Sequence, residues 1–244
     1  MLVIKMFPCL NDNYGFLLHD EDSGDTACID TPQAAAIDAA LKETGWRLTE
    51  IWNTHHHFDH VGGNAELAKA HGAIIRGPAH DAARIPGLTH GISGGGAFDF
   101  GGHKVRVIDT PGHTTGHIIY HVPSAEAGSG AAFVGDTIFV MGCGRLFEGT
   151  PDDMFASLSG IAQLPPATKL YCAHEYTLSN GRFALTVEPE NAALKSYIKT
   201  ATARREQGLP TVPTTVEREQ AINPFMRAAS AQRLGEIRRA KDNF

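Results

Sequence analysis

Residues 53–64 read NTHHHFDHVGGN, which sets four of the chain's 13 histidines and one aspartate into positions 55–60. No surface loop needs such a cluster to fold, so its spacing is the first thing to explain. In extended chain, residues two apart point the same way, so His55 and His57 can face one ion while His56 faces away. Asp59 and His60 follow once the chain has turned, and could serve a neighbouring ion. Asn64 is a good helix N-cap, and the glycines at 62 and 63 read as a tight turn.

Working outward, short apolar runs recur and usually end in Gly, Pro, Asp or His. The runs 15–18, 27–30, 50–54, 73–76, 105–109, 117–122, 131–135 and 169–173 read as strands. Residues 33–44, 65–71 and 151–164 read as helices between them, with Gly45 and Gly72 as stops and Asp152 and Asp153 favouring the start of the third. This alternation argues for layered α/β architecture. From about residue 175 the texture changes to helical spacing over 191–207 and 228–241, with a Thr/Glu helix start between them. We read a main domain over 1–168 and a small helical domain over 169–244. "SGGGAFDFGG" and "SAEAGSGA" read as loops.

Placing the polar clusters on that strand map brings out a constellation. His55, His57, Asp59 and His60 follow one strand; His113, Asp136 and His174 each follow another. Strands of common orientation would carry these loops to one edge of the sheet, where α/β proteins place their sites. Two ions need about four positions each. Seven side chains suffice if one carboxylate bridges and water fills the open positions, and Asp136, with two oxygens to share, is the natural bridge. An isolated histidine more often packs or faces solvent. His19, His71, His80, His90, His103 and His121 are read that way, and His56 and His117 as supports or local packing.

Composition excludes several classes. A net charge of −6 gives no global electrostatic case for nucleic acid. No stretch approaches the ~18 apolar residues that span a bilayer. The amino-terminal apolar run is broken by Lys5 and Pro8 and lacks a cleavage site, so it does not read as a signal peptide. Cys9, Cys28, Cys143 and Cys172 show no CxxC spacing and read as free buried thiols, which suits a reducing cytoplasm.

The HxHxDH set with the later His, Asp and His resembles the metallo-β-lactamase superfamily. The blocks THHHFDHVGGN, TPGHTTGHI, GDTIFVMGCGRLFEGT, HEYTLSN, FALTVEPEN, NPFMR and RRAKDNF resemble, in order and over essentially the full chain, those of the glyoxalase II (hydroxyacylglutathione hydrolase) family. That resemblance implies an αββα sandwich with a binuclear site and a C-terminal helical domain that helps bind glutathione. It implies that His55, His57 and His113 hold one divalent ion and Asp59, His60 and His174 the other, with Asp136 between. Zinc is the expected metal, and iron or manganese is compatible with ligands lacking thiolate. Asp59 and Asp136 would hold a bridging hydroxide that attacks a thioester carbonyl. The thiolate leaving group, with a free pKa of ~8.5, departs without a dedicated proton donor, so Cys143 and Cys172 need not be catalytic.

The expected reaction is hydrolysis of S-(2-hydroxyacyl)glutathione, chiefly S-D-lactoylglutathione, to D-lactate and glutathione, in methylglyoxal detoxification by a cytoplasmic monomer. Substrate contacts are implied at Arg145, Phe147, His174, Glu175, Tyr176, Arg238 and Lys241. Arg145 stands where lysine is common and Phe147 where some members have tyrosine. Without the family, Arg238, Arg239 and Lys241 would read as a solvated helix face. The competing readings are a persulfide dioxygenase-like oxidoreductase using one iron, another hydrolase of the same fold (a lactamase or an RNA phosphodiesterase), and a metal-binding module without catalysis. The complete second-ion set and the helical tail speak against the dioxygenase.

Overall fold

The short apolar runs read from the sequence are strands in the computed structural model, which describes residues 1–244. The chain forms two compact units, residues 1–109 with 116–135 and residues 110–115 with 136–244.

In the first unit, β1 (Leu2–Cys9), β2 (Asn13–Asp20), β3 (Thr26–Ile29), β4 (Glu50–Trp52), β5 (Ile74–Pro78) and β6 (His90–Ile92) form one sheet in chain order. The pairs β1–β2 and β2–β3 are antiparallel, and β3 through β6 run parallel. Parallel neighbours need crossovers, and α1 (Ala34–Thr44) and α3 (Asn64–His71) supply them. Their apolar stripes, including Ile37, Leu41 and Leu67, pack with Leu17, Cys28, Ile51 and Ile75 of the sheet. Gly45 and Gly72 end the two helices in the left-handed conformation, as their positions in the sequence anticipate.

A second sheet in this unit orders β7 (Ala97–Phe100), β8 (His103–Asp109), β9 (Ile118–Val122) and β10 (Ala131–Gly135), with antiparallel neighbours. It packs on the first through aromatic rings. Trp52 meets Phe98, Phe100 and Tyr120 at 5.0, 5.1 and 5.4 Å between ring centroids, and Phe16 meets Phe133 at 5.8 Å. The Tyr120 hydroxyl donates to the Asn53 carbonyl at 2.8 Å, satisfying the one polar atom its burial would orphan. β8 and β10 flank β9 and therefore run parallel to each other, so the chain leaves both at the same edge.

Three expectations are corrected here. The loop assigned to "SGGGAFDFGG" contains β7, because Phe98 and Phe100 stand on Trp52. The N-cap of α3 is Gly63, not Asn64. The Asn64 side chain instead joins a buried network, accepting from Thr31 Oγ1 at 2.6 Å and donating to Asn53 Oδ1 at 2.7 Å. The site loops also leave two sheets rather than one, since β4 lies in the first and β8 and β10 in the second.

The second unit holds the short hairpin β11 (Ile138–Phe139) and β12 (Gly142–Cys143), then α4 (Pro151–Ile161), β13 (Lys169–Cys172), α5 (Thr177–Val187), α6 (Ala192–Glu206), β14 (Thr214–Thr215), α7 (Val216–Ile222) and α8 (Ala231–Asp242). Thr150 and Asp153 close a capping box on α4 with Pro151 in its first turn, and Asn191, Thr215 and Ser230 cap α6, α7 and α8. The helix α5 went unread in the sequence. All four cysteines are free and buried.

His121 on β9 is buried with neither ring nitrogen hydrogen-bonded, and burial followed by the Arg106 charge lowers its pKa from 6.5. A base whose folded pKa is depressed stabilises the fold fully above its unfolded pKa, and that stability is lost as pH falls below it. His121→Leu should therefore shrink the drop in urea midpoint between pH 7 and pH 5. An unchanged drop would place the acid sensitivity elsewhere.

Candidate metal centre and substrate cavity

β4 ends at Trp52, and the next residues build the first unit's share of the site. His55 Nε2 lies 3.1 Å from His57 Nδ1, and His60 Nε2 lies 3.5 Å from Asp59 Oδ2. The His55 and His60 rings are 4.0 Å apart between centroids. The remaining ring nitrogens are tied back. His60 Nδ1 donates to Asp30 Oδ2 at 2.8 Å, and Thr54 donates to Asp30 from both its backbone N and its Oγ1, each at 2.8 Å. Because the single Thr54 hydroxyl proton goes to Asp30, the contact of 3.0 Å between Thr54 Oγ1 and His55 Nδ1 is donated by the imidazole. His55 and His60 thus carry their protons on Nδ1, which leaves their Nε2 lone pairs as the atoms that could bind a cation. Asn13 Nδ2 donates to Asp59 Oδ2 at 3.0 Å. His56 faces away as its spacing requires, with Nδ1 3.0 Å from the buried Asp81. His117 stacks on His55 at 4.8 Å, a supporting place.

Asp30 and Asn13 are absent from the sequence reading. Single polar residues at strand ends carry no spacing signature. Asp30→Ala should weaken metal affinity by about 10- to 100-fold in a chelator competition, the usual cost of losing a group that orients a ligand. Unchanged affinity would make Asp30 a purely structural acceptor.

The second unit contributes His113, Asp136 and His174. His113 Nε2 lies 3.4 Å from Asp136 Oδ2, and His174 Nε2 lies 3.4 Å from Asp136 Oδ1. Each carboxylate oxygen thus faces a different imidazole. His113 Nδ1 donates to the Arg145 carbonyl at 2.9 Å, which again leaves the Nε2 lone pair as the one that could bind a cation. Gly144 permits this arrangement, since a Cβ there would run into the Asp136 carbonyl and the His113 ring. Gly135, at φ +47, turns the chain out of β10 just before Asp136.

These distances test the fit to metal. Donors held about 2.0–2.2 Å from a tetrahedral ion lie about 3.3–3.6 Å apart. The two Asp136 pairs and the Asp59–His60 pair fall in that range, and the His55–His57 pair just below it. The donors are imidazole and carboxylate throughout, so each unit's residues fit divalent ions. No thiol competes as a nucleophile: burial pushes Cys143 up to about 11 and Cys172 still higher.

A cavity of about 680 Å³ opens within the second unit, lined by residues that include His113, Asp136 and Phe139, with Arg145, Arg182 and Lys241 among its cations. Phe147 and Tyr176 also line it, Tyr176 stacked on His174 at 4.8 Å with Phe139 edge-on to both. The Lys241 ammonium donates to Ser179 O and Oγ at 3.3 and 3.4 Å. Burial, then the charges of Arg238, Arg182 and Arg145, brings its pKa down to about 8. Arg238 is no solvated residue: it is 5% exposed and donates to the Cys143 carbonyl at 2.9 Å and to Asp242 at 2.9 and 3.1 Å. The Glu175 carboxylate turns to Thr211, accepting from its hydroxyl at 2.6 Å and its backbone N at 2.8 Å. Ser179, Arg182 and Phe244 line the cavity but escaped the sequence reading. The i, i+3 spacing of Ser179 and Arg182 was the available signal, obscured by the Asn and Gly between them.

Comparison with known proteins agrees with this geometry. The metallo-beta-lactamase superfamily model matches residues 23–174, and the hydroxyacylglutathione hydrolase C-terminus model matches residues 175–244. The chain is 51% identical over its whole length to the hydroxyacylglutathione hydrolase of Maricaulis maris, covering 99% of that protein, and 49% identical to that of Hyphomonas neptunium at the same coverage. Among solved structures, ETHE1 from Myxococcus xanthus superposes with a TM-score of 0.73 at 22% identity, covering 97% of this chain and 90% of the other. TTHA1623 in a di-iron-bound form gives a TM-score of 0.61 at 23% identity, over 91% of this chain and 99% of the other. These two show the fold alone. The fold is that of the metallo-β-lactamases with a C-terminal helical portion, and by full-length similarity the chain belongs to the hydroxyacylglutathione hydrolase family.

Proposed function

We propose that this chain hydrolyses S-(2-hydroxyacyl)glutathione, chiefly S-D-lactoylglutathione, to D-lactate and glutathione. One observation carries the reading: Asp136 and His113, whose atoms fit an ion, wall the same cavity as the cations Arg145 and Lys241. A substrate with a reactive thioester and carboxylates at a distance matches that pairing. The volume is within the ~300–1,000 Å³ of small-molecule sites.

His55, His57 and His113 are assigned to one divalent ion, Asp59, His60 and His174 to a second, and Asp136 to both. Zinc is the first choice, with iron or manganese compatible. When bound, such ions supply a water whose pKa falls from 15.7 toward ~7 and positive charge for the developing oxyanion. The chain's own residues do the rest. Asp30, Thr54 and the Arg145 carbonyl hold the imidazole tautomers, so that the ligand lone pairs are fixed in advance. Phe139, Tyr176 and Phe147 supply apolar wall beside the imidazoles, which excludes water from the acyl group. Lys241 and Arg145 hold carboxylate. The leaving thiolate needs no proton donor at a pKa of ~8.5.

We assign the catalytic portion to 1–168 and the glutathione-binding helical portion to 169–244, and place the enzyme in the cytoplasm as a monomer that removes a methylglyoxal-derived thioester. Four free buried thiols support a reducing compartment, and no helix is long and apolar enough to cross a membrane. The hydrolase reading is supported over the dioxygenase-like one by 51% identity over the full chain to a hydroxyacylglutathione hydrolase. Steady-state assay of metal-loaded protein with S-D-lactoylglutathione should give kcat/KM above about 10⁴ M⁻¹s⁻¹. Absence of D-lactate, or oxygen uptake with glutathione persulfide in its place, would overturn the assignment.

A further inference from the structure

Asp81 is fully buried and takes no part in the metal-ligand set assigned above. A buried carboxylate needs compensation, and three side chains supply it. His80 Nδ1 lies 3.0 Å from its Oδ1 and His56 Nδ1 lies 3.0 Å from its Oδ2, while the Arg84 guanidinium donates to Oδ1. The short turn Ala79–Asp81, which follows β5, carries Asp81 to this place, and Arg84 reaches back over three residues. Gly116, just ahead of β9, leaves room for the carboxylate, since a Cβ there would run into both oxygens.

Arg84 also touches His56 directly, with Nη1 3.2 Å from Nε2. A guanidinium has only donors, so Nε2 accepts, and the ring proton of His56 sits on Nδ1, where Asp81 takes it. The three side chains close a triangle: Asp81 holds His56 and Arg84, and Arg84 holds His56. Both nitrogens of the middle histidine are thereby used, and no lone pair is left on it for a cation.

The placement matters because residue 56 stands between two assigned ligands. In extended chain, side chains at 55 and 57 point opposite to the one at 56. Pinning His56 on the outer side therefore fixes which way its neighbours face. His57 is extended, at φ −61 and ψ 147, and its Nδ1 meets His55 Nε2 at 3.1 Å on the other side.

We propose that Arg84 and Asp81 are positioning residues of the metal loop, acting through His56. They hold the one histidine of the triplet that must not bind an ion, and so aim the two that do. The inference rests on the ligand assignment within the proposed function. It adds to that centre the segment after β5, from which none of the assigned ligands comes.

Zinc affinity of the full chain, read by chelator competition, tests the clasp in a double-mutant cycle. Arg84→Ala should weaken zinc binding about tenfold, and His56→Ala by a similar factor. Once His56 is gone the clasp has nothing to hold, so Arg84→Ala added to His56→Ala should cost no more than about twofold further. Arg84→Lys, which keeps a donor for Nε2, should recover most of the affinity. An arginine that only supports the fold would give losses that multiply, whatever stands at position 56. Arg84 is 38% exposed, which makes it a gentler site to change than buried Asp81, and a melt of the metal-free variants shows that the fold persists. In metal-free wild type, the ¹⁵N shifts of His56 should place the ring proton on Nδ1.

Losses that multiply in the double variant, affinity unmoved by Arg84→Ala, or a wild-type His56 proton on Nε2 would overturn the clasp. These outcomes separate from those of the parent reading. Protein that shows the coupled cycle but releases no D-lactate keeps the clasp and loses the activity. Protein that hydrolyses lactoylglutathione while its zinc affinity ignores Arg84 keeps the activity and loses the clasp.

Discussion

Asp136→Ala is expected to lower kcat/KM for S-D-lactoylglutathione by about 10³-fold or more and to reduce bound metal, without unfolding the chain. Each Asp136 oxygen faces a different imidazole nitrogen at 3.4 Å, so in the proposed centre a single substitution removes a ligand atom from each of the two ions. Charge stabilisation of several kcal/mol is at stake, and about 4 kcal/mol corresponds to about three orders of magnitude in rate. Asp136→Asn should fall between, since the amide keeps one oxygen acceptor and loses the charge. The check is metal per chain and kcat/KM on the same sample, with a thermal melt to show that the fold persists. Full metal content with full activity in Asp136→Ala would remove Asp136 from the centre.

The largest stability effect is expected at Glu219, far from any ligand. This α7 residue is fully buried, and its carboxylate accepts from Thr214 Oγ1 at 2.7 Å, Met141 N at 2.9 Å and Asn223 Nδ2 at 3.0 Å. Asn223 in turn donates to the Phe139 and Gly142 carbonyls at 3.2 and 2.9 Å. Together the two residues clamp the β11–β12 hairpin, whose turn holds Met141 at φ +58 and whose strands present Phe139 and Cys143 to the cavity. Glu219→Ala orphans three buried donors at about 1–3 kcal/mol each. A loss of about 4 kcal/mol, at roughly 2–4 °C per kcal/mol for a chain of this size, lowers Tm by about 10 °C.

The same group has a pH signature. Burial raises Glu219 from 4.5 to about 7, against the opposing hydrogen bonds from Thr214, Met141 and Asn223. An acid with a raised folded pKa binds its proton more tightly in the folded state, so stability falls as pH rises from 4.5 to about 7 and the full cost is present above that. Glu219→Gln should flatten that portion of the urea-midpoint profile. A profile unchanged between pH 5 and pH 8, together with an unmoved Tm in Glu219→Ala, would refute the clamp.

The proposed metal ligands stand out in the sequence because coordination imposes spacing. His55 and His57 must stand two apart, and His113, Asp136 and His174 must each follow a strand, so the pattern survives without coordinates. Groups acting through a ligand have no such constraint. Asp30 and Asn13 are lone polar residues at strand ends, and only the hydrogen bonds to His60 and Asp59 show their roles. Strand β1 was hidden by Lys5 and Pro8, although its eight residues pair in register with β2. The glycines flanking Phe98 and Phe100 disguised β7. Asn64 had the chemistry of a cap, but buried donors on Thr31 and Asn53 claimed its side chain. The reading of Arg238 as a solvated face failed for a related reason: a helix written in charged residues still buries an arginine where a carbonyl and a carboxylate await it.

The most direct measurement is a titration of metal-free protein with zinc, following bound ions per chain and hydrolysis of S-D-lactoylglutathione together. Turnover that reaches its plateau at two ions per chain, and is lost again on chelation, is the predicted result. Saturation at a single ion, or thioester hydrolysis undiminished in the metal-free chain, would contradict the account.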